Sequence, residues 1–242
     1  MESNLSYLMG GKLGDFIHSL AVCKYNYDLT GEKADIYIAN IGDSFEQTIE
    51  FTYEELKPIL EKQEWLSSFN IYIDQSIDIN LHEFRNSDHL HGNNWLNVYF
   101  KTFIPDYNPP IEFKWIDMDR DEKYKDALIV NRSTNKPGGL PDDALEQYKI
   151  IASQFKEKYF VCFETFQYEA FPLKDDFKLL LVKDLYEYFK IINSGKLFVG
   201  NQSGPFAWAS AMNVPRTLEI LRMHAGLWYQ NDTQYYKNLS II

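Results

Sequence analysis

The sequence predicts an α/β protein of two doubly wound halves that face a common cleft, and three observations carry that expectation. Near the amino end, the apolar run Leu5-Ser6-Tyr7-Leu8-Met9 is followed by the glycine loop Gly10-Gly11-Lys12-Leu13-Gly14-Asp15 and then by a helical stretch from Phe16. Near the carboxyl end, Leu197-Phe198-Val199 passes through Gly200-Asn201-Gln202-Ser203-Gly204 into Pro205, which suits a first helical position because its missing N–H costs nothing there. Between them, strand and helix signals alternate and restart after a proline-rich break. One glycine turn of this kind recurs throughout α/β proteins, so either segment alone reads as an ordinary strand-to-helix turn. Their appearance at both ends makes the two-half reading the better one.

Taken in order, Ala34–Ala39 is a second strand that completes a right-handed βαβ unit with the first. Phe45–Lys62 is rich in glutamate, with Phe51, Leu56, Ile59 and Leu60 at helical spacing, and predicts a helix or a helical pair. Phe69–Ile73 reads as a short strand, and the polar stretch Asn80–Asn94, with His82, Arg85, His89, His91 and Gly92, as a loop. Ile104-Pro105 through Pro109-Pro110 breaks regular structure repeatedly, since proline donates no hydrogen bond and restricts the residue before it. The domain boundary is placed just after it, giving 1–115 and 116–242. The second half then runs strand Ala127–Asn131, loop Arg132–Gly139, helix Asp142–Phe155, strand Tyr159–Phe163, strand Lys178–Leu181, helix Asp184–Ile192, the glycine-turn strand, and strand Arg216–Ile220.

A 242-residue chain with 45% hydrophobic and 16% aromatic residues has ample material for packed cores. Its formal charge of -11 argues against a nucleic-acid backbone as ligand, because such binding needs a basic surface. An anionic substrate must then rely on local positive sites, for which Arg132, Lys136 and the helix start near Ser203 are the candidates. No window of about eighteen apolar residues and no basic segment leading into an apolar run is present, so neither a membrane span nor a secretory signal is indicated, and a cytoplasmic protein is expected. Cys23 and Cys162 lie far apart, each inside an apolar element, and read as packing residues.

The pattern Gly14-Asp15-Phe16-Ile17-His18-Ser19-Leu20 after a first strand, with the late Val199-Gly200-Asn201-Gln202-Ser203-Gly204-Pro205, then Ala209, Ala211 and Val214-Pro215, resembles the bacterial ADP-heptosyltransferases and their relatives. The helical run Val182–Gly195 adds to the likeness, which covers the first forty or so residues and most of the second half; Thr52–Trp115 carries no matching motif. The resemblance implies a GT-B-like fold of two Rossmann-like domains, the first shortened. It implies an enzyme that moves a sugar from a nucleotide-diphosphate sugar to a saccharide or glycan acceptor. Inversion is expected, with no metal and no cofactor beyond that co-substrate. Asp15 is the general base that the resemblance implies. Gly14, Arg132, Ser133, Lys136 and the run Gln202, Ser203, Gly204, Pro205 and Phe206 are the implied donor-diphosphate contacts.

The residues themselves leave alternatives. An aspartate in the first turn of a helix is as often a cap or dipole partner as a base, and a loop arginine is as readily solvated as bound to phosphate. Glu219 is a candidate for a ribose hydroxyl, and His18 and Arg85 for the acceptor. The chain departs from the family at Gln202, where aspartate is usual, and at Ala207, where histidine is common; both bear on donor contacts and suggest a donor sugar other than the namesake heptose. Asp117-Met118-Asp119 mimics a metal-binding pair and, with Asp121, a calcium loop, but Glu122 stands where that loop needs glycine and Leu128 where it needs its last ligand. A solvated acidic run is the better reading. Two rivals stand beside the transferase: a catalytically inactive saccharide- or nucleotide-binding module on the same scaffold, and a nucleotide-sugar epimerase or reductase, which the lack of Gly-x-Gly-x-x-Gly after the first strand disfavours.

Overall fold

The computed structural model describes residues 4–41, 45–90, 95–104, 106, 113–133, 140 and 142–219. They divide into two compact units that meet in sequence between Asp117 and Met118, two residues beyond the boundary expected at 115/116. The division has a local cause on each side of that peptide bond. In unit 1, Gln63 Nε2 donates to Asp117 O and its Oε1 accepts Asp117 N–H, both within 2.9 Å, while Trp65 Nε1 donates to Trp115 O and Trp115 Nε1 to Ile17 O. In unit 2, Asn193 Nδ2 donates to Met118 O at 2.7 Å and Ser194 Oγ accepts Asp121 N–H. The connecting segment is therefore tied down on each side by buried polar side chains of the unit it belongs to.

Unit 1 contains β1 (Leu5–Met9), α1 (Leu13–Thr30), β2 (Ala34–Ile38), α2 (Ile49–Leu60), β3 (Leu66–Ile71), β4 (Ile79–Asn80) and α3 (Trp95–Phe103). Its sheet is parallel, in the order β3-β2-β1-β4. The apolar runs of β1 and β2 bury Tyr7, Leu8, Met9, Ala34, Ile36 and Ile38, as expected for strands covered by crossover helices. Helix α1 stops at Gly31, whose φ of 77° turns the chain out of the helix as its N–H closes on Tyr27 O at 2.8 Å. The segment expected as one helix or two is one, started by Thr48, which accepts the Phe51 amide. The stretch expected as a polar loop begins instead with β4, two residues long and paired to β1, and continues in 3₁₀ turns over Leu81–Asn86 and Asp88–Leu90. Helix α3 was not expected from the sequence. It forms because Leu96, Val98, Tyr99 and Phe100 together bury one face.

Unit 2 contains β5 (Leu128–Asn131), α4 (Asp142–Ala152), β6 (Lys158–Cys162), α5 (Thr165–Glu169), β7 (Lys178–Leu181), α6 (Leu185–Ser194), β8 (Leu197–Gly200), α7 (Gly204–Ala211) and β9 (Arg216–Leu218). Its parallel sheet has the order β7-β6-β5-β8-β9. That is the doubly wound arrangement, in which the chain winds outward from β5 in one direction and then restarts at β8 in the other. Leu128, Val130, Phe160, Cys162, Leu197 and Val199 from the sheet pack with Tyr148, Ile151 and Phe171. The sequence reading places no helix at α5 and runs α4 three residues too far, to Phe155; the bounds of β5, β6 and α6 differ by one or two residues, and of the strand expected over Arg216–Ile220 only Arg216–Leu218 is β9, Ile220 lying outside the described residues.

Among the described residues each unit has one place where its strand order reverses: between β1 and β4 in unit 1, and between β5 and β8 in unit 2. Open parallel sheets bind ligands outside the carboxyl ends of the strands at such points, where the two loops part in opposite directions. Those ends carry Gly10–Asp15 and Leu81–Asn86 in unit 1, and Arg132–Ser133 and Asn201–Gly204 in unit 2.

The cores also fix the response to alkali. Burial raises the pKa values of Tyr99, Tyr148, Tyr188 and Cys23 well above their ordinary ranges and pushes that of the Cys162 thiol from 9.0 to about 11. These groups bind protons more tightly folded than unfolded, so their stabilisation is complete below the unfolded pKa values and is lost as pH climbs through the folded ones. We expect the urea midpoint to hold up to about pH 8.5 and to fall steadily from about pH 9 to 11, as read by circular dichroism across that range.

Candidate active site

The loop that leaves β8 is built to lie close to its neighbour. Gly200 pairs with Asn131, and a Cβ there would stand 2.9 Å from Asn131 O, so a side chain would push β5 and β8 apart. The next residue, Asn201, is fully buried and bridges the two loops: its Oδ1 accepts Ser133 N–H at 3.1 Å and its Nδ2 donates to Ser133 O at 2.8 Å. The β5 and β8 loops are thereby locked side by side at the switch point.

Helix α7 starts in that position without a side-chain cap, because Ser203 turns its Oγ back to Asn201 O. Phe206 N–H donates to Ser203 O and Pro205 has no N–H, so at this helix start the amides with no partner among the described residues are those of Gln202, Ser203 and Gly204. The available donors thus fall on the first three residues of the run expected from Gln202 to Phe206, while Pro205 and Phe206 offer no free amide. Uncapped amides at a helix start, with the positive end of its dipole, favour an anion.

Arg132 stands at the same switch point and is nine-tenths buried. Its Nε donates to both oxygens of Glu219, at 3.1 and 2.9 Å, and Tyr148 of α4 donates its hydroxyl proton to Glu219 Oε2 at 3.1 Å. Burial, reinforced by the Glu219 charge, raises the Tyr148 pKa well above its usual range and keeps that proton in place. Glu219 follows β9, and its N–H is bound to Gly200 O at 2.8 Å, so the ion pair spans from β5 past β8 to β9. The structure gives Glu219, expected as a ribose contact, a different part: its side chain has no exposed surface and both oxygens are engaged by Arg132 and Tyr148. Arg132 Nη2 is buried and has no hydrogen-bond partner among the described residues. A charged donor left so is costly unless something binds it, which marks the point where an anionic oxygen fits. Lys136 lies outside the described residues.

In unit 1, Asp15 falls in the first turn of α1, beside the loop that holds Gly11 at a φ of 92°. Its Oδ2 accepts from Arg85 Nη2 at 2.6 Å, and Tyr99 of α3 donates its hydroxyl to Asp15 O at 3.0 Å. A Cβ on Gly11 would lie 3.2 Å from Asp15 Oδ2 and 3.3 Å from Arg85 Nη2, so the loop comes this close to the pair only because residue 11 lacks a side chain. Arg85 also lies over the Phe84 ring, 5.0 Å from its centre. Asp15 and Arg85, expected as base and acceptor contact, are thus direct partners at the carboxyl ends of β1 and β4. His18 takes a different part from the expected acceptor contact. It is 1% exposed, its ring lies 6.4 Å from those of Trp95 and Trp115, and its Nδ1 lies 2.7 Å from Gly14 O. A carbonyl only accepts, so Nδ1 carries the proton and the ring serves the packing of α1.

No protein-family model and no curated protein matches the sequence. Solved structures do match in three dimensions. Heptosyltransferase WaaC of E. coli, solved with ADP-2-deoxy-2-fluoro heptose, superposes with a TM-score of 0.56 at 10% identity over 89% of this chain and 88% of its own. A family 9 glycosyl transferase from Veillonella parvula DSM 2008 gives 0.58 at 11% identity over 90% and 81%, and E. coli ADP-heptose lps heptosyltransferase II gives 0.54 at 12% over 89% and 84%. The chain has the heptosyltransferase fold. At such identities the likeness is one of fold, and among the described residues unit 1 carries four strands against five in unit 2.

Asn201, Tyr148 and Tyr99 are the site residues that sequence reasoning passed over. Asn201 sits inside the turn whose glycines and proline drew attention, and nothing in a turn pattern tells a bridging amide from a solvated one. Tyr148 and Tyr99 lie on helices, where an aromatic residue reads as core until its hydroxyl is located.

Proposed function

We propose that the protein is a glycosyltransferase that moves a sugar from a nucleotide-diphosphate sugar to a saccharide acceptor, with inversion, without a metal, and with Asp15 taking the proton of the acceptor hydroxyl. One observation carries this reading. At the unit 2 switch point a buried guanidinium, its Nη2 without a partner among the described residues, stands on the loop locked to an uncapped helix start, which is the equipment a departing diphosphate needs. The fold neighbours support it, since WaaC was solved with ADP and with a fluorinated ADP-heptose analogue. Pre-aligned amides and Arg132 would stabilise the charge that develops on the leaving diphosphate, so no metal is needed for that step. Gln202, where aspartate is usual, would meet a phosphate or a sugar hydroxyl without repulsion. Asp15 enters by its place at the carboxyl end of β1 and by the family resemblance of Gly14-Asp15. Nucleotide sugars are made in the cytoplasm, which is the compartment this reading implies.

The test is a thermal-shift panel of ADP, GDP, UDP and CDP and their sugars, followed by assay of nucleotide-diphosphate release over a broad set of saccharides. A ligand held only by the native state at a hundred times its Kd stabilises by about 2.7 kcal/mol. At 2–4 °C per kcal/mol, that is a rise in Tm of roughly 5–10 °C. We expect one base to give that rise and its sugar to be turned over in the presence of EDTA. A panel without any shift overturns the proposal.

A second reading is a binding module without turnover. It is favoured by the Arg85 guanidinium already on Asp15 and by Ala207, whose methyl side chain cannot replace the donor that the family commonly has there. Donor binding with no nucleotide release, in buffer with or without divalent cations, would select it.

A further inference from the structure

We propose that Glu219 and Tyr148 are positioning residues for Arg132, fixing its guanidinium through Nε so that the outer edge of the fork is presented to phosphate; this rests on the reading that unit 2 holds a nucleotide-diphosphate donor. A guanidinium is planar and rigid, with five N–H donors in fixed directions. Holding Nε between both carboxylate oxygens fixes where the plane lies and leaves the far donors for a ligand. The carboxylate must itself be held, and the Tyr148 hydroxyl does so at Oε2 from α4. A long flexible side chain bound this way forfeits less conformational freedom when phosphate arrives, and preorganisation of that kind is worth affinity.

The rival role for Glu219, a direct contact to a ribose hydroxyl, makes a different prediction about which part of the ligand feels a change. Glu219→Asp keeps the negative charge and withdraws the anchor by one methylene. If Glu219 acts through Arg132, only ligands bearing phosphate lose affinity. If it touches ribose, the bare nucleoside loses affinity as well.

The experiment is calorimetric titration of the full chain with inorganic pyrophosphate, with whichever of ADP, GDP, UDP and CDP binds tightest, and with the parent nucleoside of that base. We expect Glu219→Asp to weaken pyrophosphate and the nucleoside diphosphate at least fivefold and to leave the nucleoside within twofold. Tyr148→Phe, which keeps the ring and removes one bond to Glu219, should weaken the same two ligands about threefold; it carries the test if Glu219→Asp does not fold. Equal losses for nucleoside and diphosphate overturn the proposal in favour of a ribose contact, and an unchanged diphosphate affinity in both variants overturns it outright. A wild-type protein that binds none of these ligands sinks the donor reading, and the proposal with it.

Discussion

Asp15→Asn is expected to lower the rate of sugar transfer by about 10²- to 10⁴-fold, the range a positioned general base supplies, while donor affinity stays within a few-fold. The argument turns on what asparagine keeps. Its amide oxygen still accepts from Arg85 Nη2, and the Asp15 carbonyl still accepts from Tyr99, so the local frame of α1, α3 and the Leu81–Asn86 turn survives. What is removed is a charge and a proton acceptor of carboxylate strength. The alternative, that Asp15 is only a partner for the helix dipole and for Arg85, predicts the reverse. Activity would then persist, while the melting temperature would drop by the amount a dipole and a partly buried ion pair are worth, about 1–2 kcal/mol. Measuring initial rates, donor affinity and Tm on the same preparation separates the two, and an Asn variant with unchanged transfer rate rules Asp15 out as the base. The Arg85 contact gives the base a further task, because the carboxylate must accept a proton while a guanidinium holds its other side.

Much of the fold is legible in the sequence because parallel strands covered on both faces read as continuous apolar runs. Leu128–Asn131 and Leu197–Gly200 are buried at every position, and both are placed within a residue or two by composition alone. Edge elements lack that signal. Strand β4 is two residues long and joins the sheet by pairing with Tyr7 and Leu8, which no local pattern announces. The switch-point loops are legible through Gly200, Ser203 and Pro205, since close approach and helix starts demand those residue types. The partners of the charged side chains are not legible. Arg132 and Glu219 are 87 residues apart, and Asp15 and Arg85 are 70 apart; only the order of the strands makes them neighbours. Reading Glu219 as a ribose contact and Arg85 as an acceptor contact therefore put charges of the right kind at the right sheet ends without their mates. His18 shows the same limit, for its helical spacing from Asp15 does not reveal that two tryptophans already enclose it.

Arg132→Met should destabilise unit 2 strongly, because it leaves the Glu219 carboxylate buried without its cation. Removing one member of a buried pair costs about 3–5 kcal/mol, which in a domain of this size is a fall in Tm on the order of 10 °C. Replacing the pair and its attendant hydroxyl together, as Arg132→Met with Glu219→Leu and Tyr148→Phe, removes the unpaired charge and the orphaned hydroxyl at once. We expect the triple variant to regain most of the lost stability, since buried ion pairs replaced by apolar groups of similar volume are often neutral or stabilising. Diphosphate binding should not return with it, because the recovered fold no longer holds a cation at the β5–β8 switch point. The two readouts, scanning calorimetry and titration with a nucleoside diphosphate, thus pull apart what the ion pair does for the fold from what it does for the ligand. Recovery of both by the triple variant would show that Arg132 serves packing alone and that the helix amides suffice for the anion. Recovery of stability alone assigns the charge to the ligand and explains why a chain with a net charge of -11 keeps a guanidinium at that depth.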